Sequence, residues 1–208
     1  MNILLLDDHT MTLDGYSLYL DREKNNFYKI LNCESFYEWL TSNPEVDFAI
    51  IDYELPPYPE KELMNGGDCA LLLKSLKPDC NIIISTSHEE TVILYNIYQT
   101  CKPDALIVKS DFSEKMITAI FNQQTTLPFY SARAKQAITL TNKKETLWDA
   151  KNREILMYLA QGFKIAQLED YVSMTKSGIQ KKVSKMIQEF NVKDYQELIQ
   201  LLKKEGWL

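Results

Sequence analysis

The chain has 208 residues, 45% of them apolar, which is enough to bury the core of one large domain or two small ones. No run of about 18 apolar residues occurs, and the N-terminus turns acidic too early for a secretory signal, so no membrane span or export is expected and a cytoplasmic protein is. Net charge is −6, but it is split: residues 1–124 hold 9 Lys+Arg against 20 Asp+Glu, a net of −11, and residues 125–208 hold 14 against 9, a net of +5. An acidic half joined to a basic half points to a basic domain that meets nucleic acid.

The first element is the apolar run Ile3–Leu6, followed at once by Asp7, Asp8 and His9. Burying adjacent carboxylates costs several kcal/mol each unless a cation neutralises them. Further β-rich runs follow at Tyr28–Asn32, Phe48–Ile51, Asn81–Ser85 and Ala105–Val108. Helical spacing fills residues 11–21, 35–42, 67–76, 90–100 and 113–123, with Ser35, Asp68 and Ser113 as expected N-caps. Five alternations of near-continuous apolar strand with helix predict an α/β fold, a doubly wound five-stranded parallel sheet covered on both faces. Residues 53–67, "YELPPYPEKELMNGG", break that rhythm and are expected to form a long loop. The first domain is expected to span 1–124.

Residues 125–147 are polar and mixed and read as a linker with a short helix from Ser131 to Leu140. From Asp149 the chain reads as helix throughout, a second, smaller all-α domain over 148–208. Asp149 is expected to cap its first helix, Gly162 to stop it, and residues 165–172 to form the next. Thr175 is expected to cap a helix running to about Phe190, with Ile179, Val183, Met186 and Ile187 inward. The four cysteines, Cys33, Cys69, Cys80 and Cys101, lack metal-binding spacing and read as reduced thiols.

Strands of a doubly wound sheet bring their C-terminal ends to a common edge, where sites form. That edge collects Asp7 and Asp8, Asp52 after the third strand, Ser85, Thr86 and Ser87 after the fourth, and Lys109 after the fifth. Three carboxylates suit Mg²⁺, and a nucleophilic Asp with a metal, a hydroxyl and an ammonium has the parts for phosphoryl transfer.

At these residues the first ~120 positions resemble the receiver domain of two-component response regulators, a flavodoxin-like fold. The resemblance implies that Asp52 accepts a phosphoryl group from a sensor histidine kinase. It implies Mg²⁺ held directly by Asp8 and Asp52, through water by Asp7, and by the main-chain carbonyl of Glu54. Lys109 would pair with the phosphoryl group, and Thr86 or Ser87 would supply the switch hydroxyl: Ser87 has the more usual separation from Lys109, Thr86 the better strand end. Pro56, four residues after Asp52, matches the family. Leu106, where the family often has a switch aromatic, Ser110 in place of proline, and the long loop at 57–66 depart from it.

Residues 148–208 resemble a LuxR-type helix-turn-helix domain. The resemblance implies duplex promoter DNA as partner, with Lys176, Ser177, Gln180, Lys181, Lys182 and Lys185 on the recognition helix. It also implies a homodimer formed through the last helix, whose stripe of Tyr195, Leu198, Ile199 and Leu202 carries more apolar surface than a small domain is expected to hide. Glu169, where the family has a small packed residue, and Gly178, which weakens a helix by roughly 1 kcal/mol against alanine, are departures. The reading is a response-regulator transcription factor, not an enzyme. The alternatives are a pseudo-receiver regulated without phosphate, an Asp-nucleophile phosphohydrolase using Glu54 as second acid, and an RNA-binding antiterminator.

Overall fold

The computed structural model describes residues 1–20, 24–122, 124–141 and 145–208. The expected helix ends at residues 21 and 123, and linker residues 142–144, lie outside these. The chain divides into two compact units, Met1–His88 with Ile97–Arg133, and Glu89–Asn96 with Ala134–Leu208.

The N-terminal unit is built on a sheet of β1 (Asn2–Leu6), β2 (Asn26–Ile30), β3 (Phe48–Asp52), β4 (Asn81–Thr86), β5 (Ala105–Val108) and β6 (Phe129–Tyr130). The strands lie in the order β2-β1-β3-β4-β5-β6, and every pairing is parallel. Residues of β1, β3, β4 and β5 are buried almost without exception, which is why they read as unbroken apolar runs. Between the strands come α1 (Thr10–Tyr19), α2 (Cys33–Thr41), α3 (Gly66–Leu76), α4 (Thr91–Cys101) and α5 (Glu114–Phe121). Ile3, Leu5, Phe48, Ile50, Ile83, Ala105 and Ile107 pack with Leu13 and Tyr16 of α1 and Ile117 and Ile120 of α5 on one face. Alternation along each strand sends Leu4, Leu6, Ile51, Ile84 and Leu106, all fully buried, to the other face.

The sheet has six strands, not five. The sixth comes from the segment expected to be linker: the Phe129 N–H donates to Asp104 O and the Ser131 N–H to Leu106 O, closing the free edge of β5. Two expected caps also shift. Asn32 accepts from the Ser35 N–H, and Asn65 from the Gly67 and Asp68 N–H groups, so the caps lie three residues earlier than Ser35 and Asp68. The Ser113 hydroxyl does accept from the Met116 N–H.

The C-terminal unit contains α6 (Ala132–Thr141), α7 (Glu145–Trp148), α8 (Ala150–Ala160), a 3₁₀ turn at Ile165–Asp170, α9 (Lys176–Phe190) and α10 (Tyr195–Lys204). Ile155, Leu156 and Leu159 of α8 meet Leu168, Val172, Ile179, Val183, Met186, Leu198 and Leu202 in one core. Asp149 caps α8 and Thr175 caps α9, accepting from the Asn152 and Gly178 N–H groups. Gly162 ends the α8 turn with φ +97°, a conformation that disfavours side chains. The expected helix at 165–172 is tighter and shorter, six residues of 3₁₀.

Candidate phosphoryl-acceptor site and nucleic-acid interface

β1 stops at Leu6, one residue before Asp7, and β3 ends on Asp52, so these two carboxylates meet at one edge of the sheet. Asp7 and Asp52 are 2% and 3% exposed. The Lys109 ammonium, one residue past β5, bridges both, 3.0 Å from Asp7 Oδ2 and 2.9 Å from Asp52 Oδ2. One ammonium against two buried carboxylates leaves the site negative, and Asp8 beside them adds to that. Burial pushes the Asp52 carboxyl up to about 6, against the pull of Lys109 and with the repulsion of Asp7. Burial opposes the Lys109 charge, yet its bonds to Asp52 and Asp7 hold its pKa above the ordinary lysine value.

Asp52 Oδ1 is buried with no hydrogen-bond partner among the described residues. A buried, unsatisfied carboxylate oxygen is costly, and a cation beside it would relieve that cost. Asp7, Asp8 and His9 offer ligand atoms within 4.8 Å of one another. His9 Nδ1 lies 2.6 Å from Asp8 Oδ1, and the His9 N–H donates to Asp7 Oδ1 at 2.9 Å. The residues therefore fit a divalent cation, with His9 an added neighbour that the oxygen-only expectation did not include.

The segment after Asp52 is tied down close by. The Tyr53 N–H donates to Ser85 O at 2.8 Å, and the Gly66 N–H to Tyr53 O at 2.9 Å. A Cβ on Gly66 would lie 1.8 Å from the Asp52 carbonyl oxygen, so only glycine allows α3 to start there. Sequence reading passed over this glycine as part of a loop, although a Gly-Gly pair at a helix start is itself a signal. It also passed over Tyr16, whose hydroxyl donates to Ser85 Oγ at 3.2 Å in the buried site. Burial raises the Tyr16 pKa, so it stays a donor.

Thr86 and Ser87 separate by strand parity. Ile50, Ile83 and Ile107 share one face of the sheet, which puts Asp52, Ser85 and Lys109 on that side, and Ser87, one residue past β4, follows the same alternation. Thr86 lies on the opposite side, fully buried, accepting from the His88 N–H at 3.1 Å. Ser87 is exposed and free of the strand. The side chain of Glu54 is also exposed and lies 3.3 Å from His88 Nε2. Leu106 is fully buried, so its position is a core position here.

On α9, Lys176, Ser177, Gln180, Lys181 and Lys185 are exposed, while Ile179, Val183, Met186 and Phe190 are buried. At about 100° per residue, Ser177, Lys181 and Lys185 lie opposite the buried stripe. Lys182 is turned to the flank, and its ammonium sits 2.7 Å from Asp149 Oδ2. It is thus engaged within the protein and does not belong to the open basic face. Gly178 does not interrupt α9, since it is the third residue of the helix and its N–H is the one that Thr175 caps. Glu169 is exposed and accepts from the Lys176 N–H, so it serves the start of α9 where a packed residue was expected.

The stripe on α10 also needs correction as a dimer contact. Leu198 and Leu202 are fully buried and Ile199 is 9% exposed, while Tyr195 is half-buried against the same core. Leu198, Ile199 and Leu202 complete their own unit's core, so of this stripe Tyr195 alone keeps a part-exposed side chain.

No family model matches the chain. It is 23% identical to the transcriptional regulatory protein ComA of Bacillus subtilis over 217 residues, covering 99% of each chain. Its fold matches RcsB of Salmonella enterica serovar Typhimurium bound to promoter rprA with the phosphomimetic BeF3⁻, at a TM-score of 0.65, 17% identity and 98% of each chain. A structure of two RcsB dimers on two parallel DNAs matches at 0.63, with 16% identity and 98% of each chain. Over its whole length the chain shares the fold of these structures, an α/β unit followed by a helical one. The sequence match likewise runs from end to end, to a protein named as a transcriptional regulator. Among the described residues no helix is long and apolar enough to cross a membrane.

Proposed function

We propose that this chain is a response-regulator transcription factor that accepts a phosphoryl group on Asp52 and binds duplex promoter DNA as a dimer through α9. The observation that carries this is the Asp52 carboxylate, held by Lys109 through one oxygen with the other buried and unpartnered. In the reading, Oδ1 attacks the phosphorus of a phosphohistidine on a sensor kinase, the P–N bond breaks, and Lys109 pairs with the phosphoryl oxygens. Asp7, Asp8, Asp52 and the Glu54 carbonyl would hold Mg²⁺, which when bound neutralises charge between carboxylates and phosphoryl group. Ser87, on the Asp52 side of the sheet, is the favoured switch hydroxyl.

A phosphodonor must dock beside Asp52. On α1, Met11 is 86%, Leu18 68% and Tyr19 44% exposed, an unusual apolar surface for a helix beside a charged site. Next to it is a cavity of about 210 Å³ lined by Thr12, Gly15, Tyr16, Tyr19, Lys109 and Phe112. That surface suits the kinase. DNA binding rests on Lys176, Ser177, Gln180, Lys181 and Lys185. ComA and promoter-bound RcsB support the assignment to transcription by their likeness.

The test is incubation with acetyl phosphate and Mg²⁺, followed by intact mass and sizing. A phosphoryl mass gain that vanishes in Asp52→Asn and in EDTA is expected, with a shift to dimer. A gain that persists in either condition removes Asp52 as acceptor, and no gain at all leaves the pseudo-receiver.

A further inference from the structure

We propose that Cys33 and Cys69 are an oxidisable dithiol, a site where a hydroperoxide forms a reversible disulfide joining α2 to α3 beside the loop that follows Asp52. Their Sγ atoms are 3.5 Å apart, and both side chains are fully buried. Closing that gap to a disulfide of about 2.0 Å needs roughly 0.7 Å from each sulfur. The phosphoryl chemistry uses neither residue, so this site stands independently of that reading.

The two thiols are unequal. The Cys69 S–H donates to Cys33 Sγ, and this bond, against the effect of burial, holds the Cys33 pKa below that of an ordinary thiol. Cys33 is also the first residue of α2, where the helix dipole favours a thiolate. The Cys69 thiol is pushed up by the same hydrogen bond and by burial. The other two sulfurs lack this arrangement. Cys80 bonds Asn81 O and is pushed up to about 12 by burial, and Cys101 bonds Thr100 Oγ1 and is pushed up to about 11.

The chemistry follows that inequality. The Cys33 thiolate attacks the hydroperoxide, the O–O bond breaks, and Cys33 becomes a sulfenic acid while the departing oxygen takes a proton. Cys69 sulfur then attacks Cys33 sulfur, the S–O bond breaks, and water leaves with the Cys69 proton. Two thiols lose two electrons and two protons, and the peroxide is reduced. Burial keeps the pair from random oxidants. The Cys33 N–H donates to Pro56 O at 3.2 Å, which ties Cys33 to that loop, while the Cys69 N–H makes a first-turn bond of α3, to Asn65 O at 3.4 Å.

The test exposes the full-length protein to excess hydrogen peroxide, denatures it, alkylates free thiols and maps peptides. The expected result is a linked Cys33–Cys69 peptide pair with Cys80 and Cys101 alkylated, reversed by dithiothreitol, with a higher melting temperature for the oxidised chain. Cys33→Ser and Cys69→Ser should each lose the link, while Cys80→Ser and Cys101→Ser keep it. Mapping of the unsubstituted protein decides the matter even where a serine variant folds poorly. Four alkylated thiols after peroxide, or a link through Cys80 or Cys101, would overturn the proposal.

Discussion

Lys109 is the residue on which the acceptor site turns, because its one ammonium serves two buried carboxylates. Beside it, parity separates the two candidate hydroxyls, and this gives a prediction: Ser87→Ala should weaken the phosphorylation-dependent shift to dimer seen by sizing, and Thr86→Val should leave it. The reverse pattern would return the switch to Thr86. Leu106 calls for a different kind of variant. It is fully buried, so truncation to alanine should cost about 2–5 kcal/mol and confuse stability with signalling. Leu106→Met, which conserves volume, should cost less than about 1.5 kcal/mol by chemical denaturation and keep the shift to dimer. The lysines of α9 divide in the same residue-by-residue way. If Lys181 neutralises a phosphate, Lys181→Ala should make the slope of log K against log salt shallower by roughly 2 in a dimer. Lys182→Ala, whose ammonium is already on Asp149, should change the slope by less than half of that. Equal changes would mean that Lys182 leaves Asp149 for DNA.

At the scale of elements, helix starts carry much of the local design. Asn32, Asn65, Ser113, Asp149, Thr175 and Asp194 each accept a backbone N–H at a helix N-terminus. Asp149 both caps α8 and holds Lys182. Burial raises its pKa, but Lys182 and the Asn152 N–H outweigh this and hold it below the ordinary value. Its contribution to stability is therefore present above the usual carboxylate pKa and fades as pH falls through the depressed one, and exposure keeps it small. Gly178 offers the clearest element-scale prediction. It lies within the first turn of α9, and a Cβ there would meet Met174 Cε at 3.1 Å, the mobile end of a flexible chain, and Thr175 Oγ1 at 3.4 Å, an ordinary contact. Gly178→Ala should stabilise the protein by up to about 1 kcal/mol in thermal unfolding. Gly66→Ala is the opposite case: its Cβ would strike the rigid Asp52 backbone, so a loss of at least 2 kcal/mol is expected, roughly the cost of overpacking.

For the whole molecule, the charge split matches the division of labour proposed. The acid-rich half supplies the carboxylates of the acceptor site, and the basic half supplies the exposed lysines of α9. If two copies engage a pseudo-palindrome, the salt slope on a two-half-site DNA should be about twice that on a single half-site, since it counts phosphates neutralised. Identical slopes on both DNAs would mean one copy binds. Because the apolar stripe of α10 is used up in its own core, substitutions at Leu198 or Leu202 should lower thermal stability before they alter association.

What the sequence determined alone is what depends on nearest neighbours along the chain. Near-continuous apolar runs announced β1, β3, β4 and β5, since strands covered on both faces have no polar side to show. Carboxylates and a lysine placed just past those runs announced the site, because parallel strands must end at one edge. Thr175 and Asp149 were legible as caps because each directly precedes a helical run. At Asn32 with Ser35, and at Asn65 with Asp68, the later of two capping side chains was expected, and only the turn geometry selects the earlier one. Pairings between distant segments were closed to sequence reading. β6 is two residues in a polar segment and exists because β5 offers an open edge. Lys182 looks like any other lysine of α9 until α8 brings Asp149 against it, and Cys33 meets Cys69 only because α2 and α3 pack side by side. Local periodicity records which way a side chain points, and only the packed chain decides what it meets there.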